Sequence, residues 1–439
     1  MTTIMAGILM LGVLVFIHEL GHFVVAKMCG VKVLKFSLGF GPKLVSHRGE
    51  ETEYQICAIP LGGYVQMLGE GSGEQGEDIE LSAEEKARSF AEQSVAKRLA
   101  IVSAGPVMNL ILPLLILPIS FMVGVQMPTY LEQSTCVGYV VPESNAATAG
   151  FHSGDCITAV NQQTVSNWSE TNKNFISLAG YDLLFQVDRD GEVLQLRVPA
   201  DNDSLQGLQA LGFFPRQAAR IGGLAPDMPA AAAGLQEGDL ILEIGNYPIS
   251  SWYDLKDIVQ KTGNQTVSIR LKRAGQPLTV DLTPQQSGGE GDFLLGISPS
   301  YDSELKQFGF FAAIREGSVR TWELIELTVV FVQKLFSGNV STKNIGGPIT
   351  VIQIAGQAAQ TDLSAILSIL AFISIQLGIL NLLPIPILDG GHILFYVIEL
   401  IIRRPVSIRI REMAQQVGMA MLLMLMVLAF YNDIIRLWG

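Results

Sequence analysis

Between Ile4 and Met28 the chain is apolar over a length that spans a bilayer, yet this stretch carries His18, Glu19 and His22. Ionisable side chains at bilayer depth are costly and persist where partners or a wet cavity receive them, so the fold has to supply one or the other. Read on a helix, His-Glu-Leu-Gly-His sets His18 and His22 one turn apart on one face. Both imidazoles then reach a single metal ion while Glu19 stands beside it as a general base, the arrangement of a metalloprotease site. A five-residue pattern with two free positions also arises by chance on ordinary helices; the membrane setting favours the metal.

Zinc needs a third protein ligand and an open position for water. Far down the chain, within the apolar stretch Ala365–Leu400, the run from Asn381 to His392 places Asp389 among hydrophobic residues. Pro384 and Pro386 cannot continue a regular helix, and non-helical backbone at this depth is tolerated only inside protein or beside a water-filled cavity. By itself, Asp389 reads as readily as the cap of a broken helix, with Gly390 and Gly391 making the turn. Only the distant histidine pair turns the reading towards a metal.

With Gly105-Pro106-Val107-Met108-Asn109 at the start of another apolar stretch, these fragments resemble the site-2 protease family of intramembrane zinc metalloproteases, over essentially the whole chain. The resemblance implies His18, His22 and Asp389 as ligands of Zn2+ and Glu19 as the catalytic base, and none of these four positions departs from the family pattern. It suggests Asn381, with Pro384 and Pro386, as substrate-binding; a buried Asn satisfying the broken helix explains Asn381 as well. His392 is read as packing near the site, not as a ligand. The implied substrate is a single-pass transmembrane protein, an anti-sigma factor or a signal-peptide remnant, cut after its outer domain has been shed, as in regulated intramembrane proteolysis. A competing class is a membrane-anchored adaptor that binds envelope peptides without cutting them. A transporter with a broken helix would carry inverted repeats among its spans, and none is found.

The expected fold is a multi-pass α-helical membrane protein with four transmembrane helices, an inserted tandem of α+β domains and a membrane-associated β-hairpin. A hydrophobic content of 49% in 439 residues agrees. The four spans fall near Ile4–Met28, Leu99–Val125, Ala365–Leu400 and Met413–Tyr431. The first lacks a basic leading region and carries the proposed ligands, so it is not read as a cleavable signal. Lys and Arg gather between Lys27 and Arg98 and again at Arg403, Arg404, Arg409 and Arg411, which makes both connections cytoplasmic in a bacterial inner membrane and both termini periplasmic. Spans one and three then run in the same direction. His18, His22 and Asp389 fall in the later part of each, at a similar depth nearer the cytoplasm.

The segment between spans two and three is duplicated. Ala146 to Ile157 aligns with Ala230 to Ile241 at an offset of 84 residues, and the same offset pairs Trp168 with Trp252, Arg189 with Arg273 and Gly191 with Gly275. Two tandem domains follow, at 128–213 and 214–300, between an N-terminal half of the membrane core at 1–127 and a C-terminal half at 365–439. Their Ala-Gly-x-x-x-Gly-Asp-x-Ile pattern resembles the permuted PDZ domains of envelope proteases. That implies peptide docking by strand addition, and spacing or size exclusion remains open beside it. Between 301 and 364 lies a connector with an amphipathic helix, Phe308–Leu335, expected at the outer interface.

Residues Thr129 to Phe311 carry 11 Lys and Arg against 21 Asp and Glu, most of the net charge of −12. So acidic a surface repels phosphate backbones, which excludes a nucleic-acid partner. Glu53–Leu68 reads as a cytoplasmic hairpin turning at Pro60–Gly63, and Gly69–Gly76 as a linker. Cys136 and Cys156 both lie in the first tandem domain, where a disulfide and plain core packing of Cys156 are both open.

Overall fold

The computed structural model describes residues 2–70, 82–178, 182–199, 211–286, 292–300, 303–337 and 346–438. It divides into two compact units, one made of Met1–Val125, Lys306–Gln333 and Thr342–Gly439, the other of Gln126–Leu305 with Lys334–Ser341.

The first unit opens with helix α1 (Thr2–Met28), followed by strands β1 (Val33–Arg48) and β2 (Glu53–Met67), a short helix α2 (Ala83–Ala87) and α3 (Val95–Val123). Glu53–Leu68 does not form a hairpin on itself. Ser37 of β1 pairs with Gln55 on one side and Tyr64 on the other, so the two arms of β2 flank β1. The later part of β1 folds back outside the first arm, with Val45 opposite Ile56 and Arg48 opposite Glu53. The glycines at 39 and 41, both at positive φ, allow that fold-back. The resulting order leaves residues 63–67 along one edge. Of the Gly69–Gly76 linker, all but Gly69 and Glu70 lies outside the described residues.

The second unit holds the duplication in three dimensions. Strand β3 (Val125–Pro128) leads into β4 (Val137–Val140), α4 (Asn145–Thr148), β5 (Cys156–Val160), β6 (Gln163–Thr164), α5 (Trp168–Leu178), β7 (Leu183–Arg189), β8 (Glu192–Val198) and β9 (Phe213–Pro215). The chain then repeats the plan with β10 (Ile221–Leu224), α6 (Pro229–Ala232), β11 (Leu240–Ile244), β12 (Tyr247–Pro248), α7 (Asp254–Thr262), β13 (Val267–Arg273), β14 (Gln276–Leu282), β15 (Gln285–Gln286), β16 (Phe293–Leu294) and β17 (Ile297–Pro299), before β18 (Ser303–Lys306). One four-stranded sheet runs β6-β5-β7-β8 and the other β12-β11-β13-β14, while β4 pairs with β9 and β10 with β17. Each half has its own core: Ile157, Trp168, Phe185 and Phe213 in the first, Ile241, Ile244, Ile269 and Leu271 in the second.

The same ion pair braces both halves. Arg189 Nε donates to Asp155 Oδ1 at 2.6 Å and its Nη2 reaches Asp155 Oδ2 at 2.8 Å and the Gly150 carbonyl at 2.7 Å. Arg273 treats Asp239 and the Gly234 carbonyl alike, at 2.8, 2.7 and 2.9 Å. Both aspartates are buried. Burial works against their charge, but the guanidinium and a backbone N–H outweigh it and hold both carboxyls below the usual range. In the first half Cys136 and Cys156 are joined in a disulfide, which resolves the alternative of a free core cysteine.

The chain re-enters the first unit through α8 (Phe310–Ser337), then α9 (Pro348–Ala358), α10 (Leu363–Asn381), α11 (Asp389–Ile402) and α12 (Ile408–Trp438). Ala313, Thr321, Leu324, Thr328 and Val332 form the buried stripe of α8, and Phe311, Val319, Trp322 and Phe336 stay exposed. Among the described residues, four helices are long and apolar enough to cross a membrane: α1 from Ile4, α3, α10, and α12 up to Arg436. The expected third span, Ala365–Leu400, is not continuous. It stops at Asn381, and residues 382–388 are irregular because Pro384 and Pro386 offer no N–H to a helical ladder. Asp389 therefore begins a separate 14-residue helix instead of lying late in a span.

Candidate metal centre

Helices α1 and α3 cross closely because both are glycine at the contact. A Cβ on Gly21 would lie 2.4 Å from the Ala104 carbonyl oxygen, and one on Gly105 would lie 2.2 Å from His22 Nε2 and 2.8 Å from His18 Cε1. Gly105 thus keeps clear the space in front of both imidazoles.

On the other side of that space, α11 presents Asp389. Leu388 occupies the helix cap position without a side-chain bond, so Asp389 is not used as a cap. Its Oδ2 lies 3.1 Å from His18 Nε2 and its Oδ1 3.7 Å from His22 Nε2, and the two Nε2 atoms are 3.2 Å apart. The helix N-terminus favours negative charge at this position. Gly390 and Gly391 serve packing more than turning: a Cβ on either would come within 2.2 to 2.3 Å of the Leu383 or Ile385 carbonyl oxygen. Among the described residues, His18, His22 and Asp389 form one group whose ligand atoms all lie within 4.8 Å of one another.

The donor set fits zinc. Four ligands on arms of about 2 Å sit about 3.3 Å apart at the corners of a tetrahedron, and the three separations found here straddle that value. The outer nitrogens complete the case. His22 Nδ1 donates to the Ile101 carbonyl at 2.8 Å. His18 Nδ1 lies 3.1 Å from the Asn109 amide, which is fully buried. With Nδ2 turned towards His18, Asn109 Oδ1 is left buried without a partner. Turned over, Oδ1 accepts from His18 Nδ1–H, so each imidazole offers its Nε2 lone pair inward. Two lone pairs and a carboxylate facing one another in a buried space call for a cation.

Asn109 is itself held. Pro113, four residues on, has no N–H for the Asn109 carbonyl, and Ser374 Oγ of α10 donates to it at 2.7 Å. Glu19, half-buried on α1, is passed by the edge arm of β2: a Cβ on Gly63 would lie 2.9 Å from Glu19 Cγ. Asn381 ends α10, Pro384 is exposed and Pro386 is half-buried in the break. Pro386 faces Gly418 of α12, where a Cβ would meet its Cδ at 3.3 Å. His392 is not one of the three converging groups.

Of the residues the sequence proposes, the structure brings His18, His22 and Asp389 together, with Glu19 on the same helix as the two histidines. The sequence did not assign roles to Gly21, Gly105, Asn109, Ile101 or Ser374. A Pro four residues after Asn109 was the one available signal, since it frees that carbonyl for an outside donor.

Residues 6–425 match the model of peptidase family M50. A protein of Vibrio cholerae serotype O1, provisionally named a zinc metalloprotease, is 37% identical over 98% of this chain and 98% of its own length. The regulator of sigma-E protease RseP of Escherichia coli K12 is 35% identical, again over 98% of both. The PDZ domain of an SdrC-like protein from Listeria monocytogenes covers 20% of this chain and 90% of its own at 24% identity, with a TM-score of 0.18, which carries no argument. The chain belongs to peptidase family M50, the site-2 proteases, and is a zinc metalloprotease of that type.

Proposed function

We propose that His18, His22 and Asp389 hold the zinc, that Glu19 is the catalytic base, and that the enzyme cuts a single-pass transmembrane substrate within the bilayer. The observation that carries this is the convergence of two inward Nε2 atoms and one carboxylate in a unit whose described residues include four membrane-length helices. Zinc, when bound, polarises a carbonyl and makes water acidic enough to deprotonate near neutral pH. The protein's own part is to orient and to move a proton. Asn109 and Ile101 fix the imidazole tautomers. Glu19 takes a proton from water and returns it to the leaving amine.

A peptide bond is cut in extended form, so a substrate helix has to unwind beside Glu19. The β2 edge at residues 63–67 supports strand addition there, and Asn381 with the Pro384–Pro386 break supports a second contact to unwound backbone. In our reading the substrate is of the anti-sigma factor type or a signal-peptide remnant, already relieved of its outer domain. The second unit, as two PDZ-like modules, lies on the periplasmic side with both termini. Its acidic surface and its disulfide suit an oxidising exterior. A cleft of about 770 Å3 in that unit, lined by Tyr139, Phe214, Trp252, Tyr253, Leu255 and Phe293, supports peptide docking.

Co-expression with single-span proteins truncated outside the membrane tests the proposal, wild type against Glu19→Gln. The variant is expected to keep its zinc and lose cleavage. The same fragment accumulating in both would count decisively against it, and in favour of an adaptor.

A further inference from the structure

Arg98, in the first turn of α3, forms a two-pronged ion pair with Glu399 of α11: Nη2 donates to Oε1 at 2.8 Å and Nη1 to Oε2 at 3.2 Å. Both side chains are nearly enclosed, at 12% and 11% exposure. Arg98 also donates from Nε to the Gln93 carbonyl at 3.1 Å and lies 4.8 Å above the ring of Tyr396, one turn before Glu399. The edge of Phe90 closes on the same ring, and Arg411 of α12 comes within 3.7 Å of Glu399 Oε2.

The helix so gripped is the one that begins at Asp389, and it is short and hinged at both ends. Ahead of it lies the irregular run 382–388; behind it Arg403 adopts a left-handed conformation at φ 57°. A slip of α11 by one residue would carry Asp389 about 1.5 Å along the axis and turn it by about 100°, enough to undo contacts of 3.1 and 3.7 Å. Buried ion pairs add little net stability, because desolvation offsets most of the attraction, yet a fork of two parallel bonds is strongly directional.

We propose that Arg98 and Glu399 are positioning residues that fix the register of α11 and thereby hold Asp389 against the imidazoles of α1. This rests on the reading of Asp389 as a zinc ligand. Arg411 adds α12 to the same anchor.

The test uses the full chain in lipid nanodiscs and measures zinc affinity, by competition with a chromogenic chelator, together with the thermal unfolding midpoint. In Arg98→Met/Glu399→Met the charges are replaced by apolar side chains of similar length. That variant is expected to unfold near the wild-type temperature while binding zinc about 10-fold more weakly or worse. A folded double variant with wild-type zinc affinity would overturn the proposal. Should it fail to fold, Arg98→Lys keeps the charge and loses the fork; weaker zinc binding is expected, and unchanged binding overturns the proposal. Asp389→Asn separates the two readings. If it binds zinc like the wild type, the ligand assignment has failed; if it alone loses zinc, only the register role has.

Discussion

Gly105 of α3 stands so close to His22 of α1 that a methyl group on it would lie 2.2 Å from Nε2. Alanine is a better helix former than glycine, so Gly105→Ala should leave α3 intact and strike only at the space between the imidazoles. The expected outcome is a purified variant of wild-type helix content with little bound zinc and no cleavage. Stoichiometric metal by elemental analysis would show that the two imidazoles shift more readily than these close contacts indicate.

Asn109 should matter through its oxygen alone. Asn109→Leu keeps the volume and removes the acceptor for His18 Nδ1–H, and zinc affinity is expected to fall about 10- to 100-fold. Asn109→Asp keeps an acceptor and is expected to retain most of the affinity. Equal losses in both would assign the effect to packing.

The paired braces Asp155–Arg189 and Asp239–Arg273 make the second unit sensitive to acid. Both carboxyls are held below the usual range in the folded state, so they contribute stability that is present above the unfolded carboxylate pKa of about 3.9 and lost as pH falls through the folded value. Acid unfolding followed by tryptophan fluorescence should therefore set in below about pH 4. Asp155→Asn with Asp239→Asn should lower stability at neutral pH by about 2 kcal/mol per brace and flatten the acid limb. An unchanged acid profile in the double variant would show that other carboxylates carry the transition.

Cysteine accessibility checks the compartment. The chain has four cysteines, of which Cys136 and Cys156 are joined and Cys29 and Cys57 are free. Alkylation of denatured, unreduced protein should label only Cys29 and Cys57, with all four labelled after reduction. Four labelled without reduction would argue against an oxidising location for that unit.

Local chemistry was legible in the sequence wherever the relevant residues lie one turn apart or at a fixed repeat. The spacing of His18 and His22 sets one helical face, and the 84-residue offset aligns Asp155 with Asp239 and Arg189 with Arg273, although that each Asp meets its Arg comes only from the structure. Long-range pairing was not. Nothing in Glu53–Leu68 reveals that β1 inserts between its arms, because strand partners are set by tertiary packing. Hydropathy carried the third span through to Leu400, since residues 382–388 are as apolar as their neighbours and only the missing proline N–H groups break them. The roles of Asn109 and Arg98 depend on which helices touch, and Arg98 meets Glu399 across 301 positions of sequence.

At the far end of α12, the buried carboxylate of Asp433 accepts the backbone N–H of Gly347 at 2.8 Å and of Ile349 at 2.9 Å, closing the start of α9. α9 in turn packs on α1, where a Cβ on Gly7 would meet Ile352 at 3.0 Å. The neighbour of α1 is thus fastened by a carboxylate 86 positions further along the chain than the N–H it holds. Removal of the Asp433 carboxylate would leave the start of α9 unfastened while the contact of α9 with α1 stays in place.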